Sequence, residues 1–115
     1  MINVTVYKDE DDTITGFKIL GHAGYSHKGS DIVCAAVSAL VINTINSIEH
    51  FTSDALNVTE DEDKGLIEFH VAKPISNSGS LLLKSLALGL QGISKEYNGK
   101  YISITQRKDR SHNVE

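Results

Sequence analysis

From Ile32 to Ile42 the chain reads IVCAAVSALVI, apolar at every position except Ser38. No other stretch restricts the possible folds as strongly. With Ser30 or Asp31 as N-cap, the segment from Ile32 to about His50 predicts a helix. A helix apolar nearly all the way round is buried on more than one side. A chain of 115 residues is long enough for one core and not for two. The covering then has to come from a second helix on one side and, on the other, a partner subunit. The longest apolar-looking run, Ile32 to Ile45, is broken by Ser38, Asn43 and Thr44 and falls short of a bilayer span. The opening MINVTVYKDEDD lacks the basic and apolar regions of a secretory signal, so a cytoplasmic protein without a membrane is expected.

The remaining pattern supplies the strands and the second helix. INVTVY (2–7) alternates Ile2, Val4 and Val6 against Asn3, Thr5 and Tyr7, which is the signature of a half-buried strand. DEDD (9–12) reads as a hairpin loop, and ITGFKIL (14–20) as the returning strand, with Gly16 a bulge or close-approach point. Residues 22–30, with Gly24, Gly29, Ser26 and Ser30, have loop composition. LNVT (56–59) and LIEFHVA (66–72) flank EDEDKG as a second hairpin with Ile67, Phe69 and Val71 inward. After Pro74 and SNSGS (76–80), Leu82, Leu86, Leu90 and Ile93 follow the helical period over about 80–97, and Asn98-Gly99 is a C-terminal stop. KYISITQ (100–106) is a last strand. The expected architecture is α+β, β-β-α-β-β-α-β, with one mainly antiparallel sheet and both helices on one face. One domain covers 1–106, and RKDRSHNVE (107–115) is expected to be a flexible polar tail.

Charge and cysteine count narrow the function classes. Eleven Lys and Arg against fifteen Asp and Glu leave a formal charge of -4, without the clustered basic residues that nucleic-acid binding requires. Mild acidity suits a basic protein or peptide partner. One cysteine forms no internal disulfide, which excludes a disulfide scaffold. His22, His27, Asp31 and Cys34 offer four groups of metal-ligand type in H-x4-H-x3-D-x2-C, but the spacing fits no recognised zinc site. His50, His70 and His112 share no constellation with them. The acidic runs at 9–12 and 60–63 lack the alternating ligands and central glycine of a calcium loop and read as hairpin turns. No metal or other cofactor is expected.

Chemistry therefore turns on Cys34. In the first turn of a helix capped by Asp31, a thiolate is favoured by unpaired backbone N–H groups and the helix dipole. Equally, a cysteine inside IVCAAV is a common core residue. His22 follows a strand end and Gly21, and a twelve-residue separation across a flexible loop allows it to reach the thiol as a general base. A solvated turn histidine has the same spacing. Asp31 either caps the helix or orients the imidazole, and capping comes first. Ser38, four residues beyond Cys34, either lines a substrate groove or back-bonds to the Cys34 carbonyl. Two function classes follow: a thiol enzyme, or a non-catalytic binding module with Cys34 in its core.

The pattern GHA at 21–23, a short glycine-containing loop, and SDIVCAAVS at 30–38 resembles the ribosomal-processing cysteine protease family, Prp. The likeness extends through the opening hairpin, the Leu-rich second helix and the last strand, to about residue 106. Ala35-Ala36 departs from the usual Ala-Gly after the cysteine. The resemblance implies an endopeptidase that removes a short N-terminal extension from a large-subunit ribosomal protein, number twenty-seven. It implies Cys34 as nucleophile and His22 as base, with Asp31 and Ser38 in supporting positions, and a homodimer. It also implies a substrate loop from His22 to Ser30, to which Gly21, Gly24, Gly29 and Ser30 are assigned. Backbone N–H groups near Val33 and Cys34 are expected to form part of an oxyanion hole.

Overall fold

The structure is a computed structural model, and it describes residues 1–21 and 28–109. Its elements are β1 (Ile2–Lys8), β2 (Ile14–Leu20), α1 (Lys28–Phe51), β3 (Leu56–Asp61), β4 (Leu66–Val71), α2 (Asn77–Glu96) and β5 (Ile102–Lys108). The five strands form one sheet in the order β3-β4-β2-β1-β5. Three pairings are antiparallel: the hairpins β1–β2 and β3–β4, and β2 with β4, which α1 and β3 separate in the chain. The fourth, β1 with β5, is parallel, so the sheet is mixed and, with the other three pairings antiparallel, mainly antiparallel as expected. The physical reason for the parallel pair is the α2 crossover. A helix lying across the sheet returns the chain in the direction of β1, and it carries the chain past two strands, β2 and β1, to the edge.

Register places the core. Val4 pairs with Ile19 and Ile19 with Ile67, while Val6 pairs with Phe17 and Phe17 with Phe69. Directly opposed residues share a sheet face, so these apolar side chains form one surface, and the helices cover it. Phe17 and Phe69 stack at 5.7 Å between centroids in its centre. α1 contributes Val33, Val37, Val41 and Ile48, and α2 contributes Leu83, Leu86 and Leu90, to the same buried cluster. Leu83 is fully buried, whereas Leu82 and Ile93, expected in that stripe, flank it half-buried.

Three boundaries differ from expectation. α2 starts at Asn77 because Ser76 is its N-cap, accepting from the Gly79 N–H at 2.9 Å. Asp54 holds that cap in place, taking the Ser76 hydroxyl at 2.6 Å and its N–H at 3.1 Å. β5 continues through Lys108, and the Asp109 N–H donates to the Lys8 carbonyl at 2.7 Å. Arg107 to Asp109 therefore belong to the folded domain and not to a flexible tail, and residues 110–115 lie outside those described. α1 begins at Lys28, so Ser30 and Asp31 stand inside its first turn and neither caps it.

α1 also corrects the expectation about length. Residues 31–51 are long and apolar enough to cross a membrane by length and composition alone. In the fold this helix turns one stripe into the core, from Val33 to Ile48, and leaves Ile32 and Ile42 exposed on the other side. Within the chain, α2 provides the covering, with Leu40 packed against Gly89 where the two helices cross.

Candidate active site

Each end of the sheet carries a cleft. The first, about 280 Å³, lies where the start of β1, the end of β2 and the β3–β4 turn meet the N-terminal half of α1. Cys34, Val37, Ser38 and Ile42 form its helical wall. Ile2, Ile19 and Ile67, all on the helix-facing side of the sheet, make an apolar floor. Glu60, Asp61, Glu62 and Gly65 rim the far side.

Cys34 is half-buried, packed against the core on one side and lining the groove on the other. Its position one turn above Val37 and Ser38 follows from the helical period, which aligns i, i+3 and i+4 on one face. Ser38 is exposed, and its hydroxyl has no hydrogen-bond partner among the described residues. Thr44 and Thr52, by contrast, do bond back to the carbonyls of Leu40 and Ile48, at 2.7 Å each. The groove-lining alternative for Ser38 is the one the geometry supports.

Gly21 ties the groove together. Its φ is +99°, and a Cβ there would stand 2.8 Å from the Met1 carbonyl oxygen, so only glycine fits without strain. Its N–H donates to the Gly65 carbonyl at 3.1 Å, fastening the end of β2 to the β3–β4 turn. The residue before His22 is thus held from two sides. His22 and Gly24 themselves fall outside the described residues, as does His27.

Other expected site residues are placed differently. Gly29 and Ser30 lie in the first turn of α1 and not in a loop. Asp31 is exposed there and does not line the groove. Because the helix starts at Lys28, Cys34 is its seventh residue, beyond the first four N–H groups that lack intrahelical partners. The first-turn argument for thiolate formation, and the oxyanion hole at Val33 and Cys34, are overturned on that ground. Ala36, at the departure from the family pattern, is half-buried in the helix. His50 is in the last turn of α1, at the far end from Cys34.

The rim from Glu60 to Glu62 is not evident from the sequence, where EDED reads only as a turn. Asp61 serves that turn, its Oδ1 accepting the N–H of Asp63 at 3.1 Å. Among the described residues Glu60 and Glu62 have no ion-pair partner, and no cationic side chain lines the groove. The alternation Leu56, Val58, Glu60 was the available signal, because it turns Glu60 toward the helix side.

The second cleft, about 530 Å³, includes Tyr7, Glu68, His70 and Asp109 on the face away from the helices. His70 Nε2 lies 2.9 Å from Glu68 Oε2, and its Nδ1 lies 3.6 Å from Asp109 Oδ2. Thr15, the extra residue of a bulge opposite Tyr7 and Lys8, donates its buried hydroxyl to Asp109 at 3.0 Å. The Tyr7 ring packs on His70 at 4.9 Å. Burial, then the charge of Glu68, raises the Tyr7 pKa above its ordinary value, with Arg107 opposing and Asp109 reinforcing. Among the described residues no group of three or more His, Cys, Asp or Glu could hold a metal ion.

Known proteins resemble this chain along most of its length. The family model for cysteine protease Prp matches residues 1–103. The ribosomal processing cysteine protease Prp of Staphylococcus aureus is 32% identical over 100 residues, covering 85% of this chain and 92% of that protein. Two crystal structures of the S. aureus protease superpose closely. The one with a substrate peptide gives a TM-score of 0.86 at 27% identity, covering 93% of this chain and all (100%) of the other. The one with a covalently linked product peptide gives 0.84 at 28% identity, with the same coverage of 93% and 100%.

Proposed function

The chain belongs to the cysteine protease Prp family and is a cysteine peptidase of ribosomal processing, and from that premise we propose that Cys34 is its nucleophile and His22 its general base. The observation that carries the reading is the place of the chain's single thiol, half-buried on the wall of a groove with an apolar floor. A relative of the same fold holds a peptide in covalent linkage, which fits chemistry through a thiol.

In the proposed reaction His22 takes the Cys34 proton, and the sulfur attacks the scissile carbonyl carbon. An S–C bond forms, the C–N bond breaks, and His22 gives the proton to the departing amine. Water then adds to the thioester with His22 again as base, releasing the carboxylate and restoring the thiol. Ser38 lines the groove beside the thiol as a substrate contact, and Asp31, exposed one turn before it, orients the His22 segment. Gly21, Gly24, Gly29 and Ser30 flank or belong to the segment that closes on the peptide.

The substrate is the N-terminal extension of large-subunit ribosomal protein number twenty-seven, processed in the cytoplasm without a cofactor. Ile2, Ile19 and Ile67 suit apolar side chains, and the acidic rim suits a basic protein. The active form is a homodimer, for which Ile32 and Ile42 of α1 and Leu81 and Leu88 of α2 offer exposed apolar surface. The deciding experiment incubates the protein, Cys34→Ala and His22→Ala with the ribosomal protein carrying its extension, and follows cleavage by mass spectrometry. Cleavage by the unaltered protein alone is expected. Full cleavage by either variant would end the proposal.

A further inference from the structure

The helix-facing positions of β3 are Leu56, Val58 and Glu60, opposite Val71, Phe69 and Ile67 of β4. Glu60 is thus a carboxylate on the side of the sheet that elsewhere builds the core. At the equivalent level of the neighbouring strands stand Ile67 and Ile19, and these form the groove floor. α1 does not cover this corner, since Ile42 across the groove is itself exposed. Glu60 is exposed, near the end of β3. It shares a groove with Cys34, sits at the edge of an apolar floor and, among the described residues, has no cation to compensate it.

The complement of that surface is a long side chain with an apolar stem and a cationic head. Lysine and arginine lay their methylenes on apolar surface while the charge reaches a polar rim. We infer that Glu60, with Glu62 behind it, selects substrates carrying a lysine or arginine within a few residues of the scissile bond. It is a specificity determinant and takes no part in bond breaking. The inference rests on the protease reading above and adds the charge of the residue that the groove prefers.

The test uses peptides spanning the proposed cleavage junction, with one residue at a time, on either flank, set to lysine, norleucine or glutamate. Each set is cleaved by the unaltered protein, Glu60→Gln and Glu60→Lys, and kcat and KM are measured at low and high salt. At one flanking position the unaltered protein should favour lysine over norleucine by about threefold to fivefold, carried by KM and fading with salt. Glu60→Gln should shrink that ratio, and Glu60→Lys should favour glutamate instead. Ratios within one variant cancel any general loss of activity. If both variants keep the original ranking of the three peptides, Glu60 does not read charge and the inference is wrong while the protease reading stands. If the unaltered protein cleaves none of the peptides nor the whole ribosomal protein, the substrate assignment fails and the inference fails with it.

Discussion

The two clefts hold comparable numbers of carboxylates and differ in what those carboxylates do. Around His70 the polar groups face one another: Glu68 and Asp109 flank the imidazole, and Thr15 donates to Asp109. Around Cys34 they do not. Among the described residues, Glu60 and Glu62 lack cationic partners and the Ser38 hydroxyl lacks a hydrogen bond. The His70 cluster is tied together within the fold, with His70 Nδ1 alone left without a hydrogen bond, whereas Ser38, Glu60 and Glu62 are exposed to solvent beside an apolar floor and open to a ligand. Size is a poor guide here, since the self-contained cleft is the larger, about 530 Å³ against about 280 Å³.

The comparison breaks most visibly through its two central residues. Cys34→Ala should lower cleavage by about a thousandfold or more, with the fold retained as judged by thermal melting. His70→Gln should leave kcat/KM within about twofold. An equal collapse in both would mean that the second cleft serves the reaction.

Backbone strain gives the next effect. Gly21→Ala forces a side chain into the left-handed region against the Met1 carbonyl and should cost about 1–3 kcal/mol of stability and at least about tenfold in cleavage. Gly16→Ala, where a Cβ would meet the Phe69 carbonyl and His70, should destabilise comparably in urea titrations yet spare kcat/KM of the folded fraction. Parallel loss of activity in both would remove the distinction between the two ends of the sheet.

Asp109→Ala should lower stability by about 1–3 kcal/mol, because it leaves the buried Thr15 hydroxyl only its longer contact to the Tyr7 carbonyl, at 3.4 Å. Peptide cleavage by the folded variant should not change. Thr15→Val alongside Asp109→Ala should recover part of the loss in the same urea titrations, since both partners are then gone.

The smallest expected effect is in acid. Burial pushes the Asp9 pKa up, but the Thr13 N–H, Lys73 and the Asp11 N–H outweigh it and hold it below the ordinary value. The Ser76 hydroxyl lowers that of Asp54. A carboxyl with a depressed folded pKa stabilises above its unfolded value, about pH 4, and that stability is lost as pH falls through the folded value. Stability should therefore drop below about pH 4, and the drop should be shallower in Asp9→Asn and Asp54→Asn. An unchanged acid limb in both variants would show that other groups govern it.

Much of the fold was legible because burial has a period. Alternation in 2–7 and 14–20, and the leucines of the second helix, are one-dimensional records of which face meets the core. The likeness around GHA and SDIVC was readable for the same reason, being local in the chain. Helix starts were less so: Ser76 caps α2 with help from Asp54, twenty-two positions earlier in the chain. The site was legible only on its α1 side, since nothing near residue 34 announces residues 60–67.

By itself the sequence determined the order of elements, the single core, the lone thiol on an apolar helix and the family. Tertiary structure decided the parallel placement of β5, the start of α1 at Lys28 and the joining of Glu60 to Cys34 across one groove. Periodicity and local motifs act through neighbours along the chain, which a string of residues contains. Which strand lies beside which, and where a helix leaves a sheet uncovered, depends on how separate elements share one core.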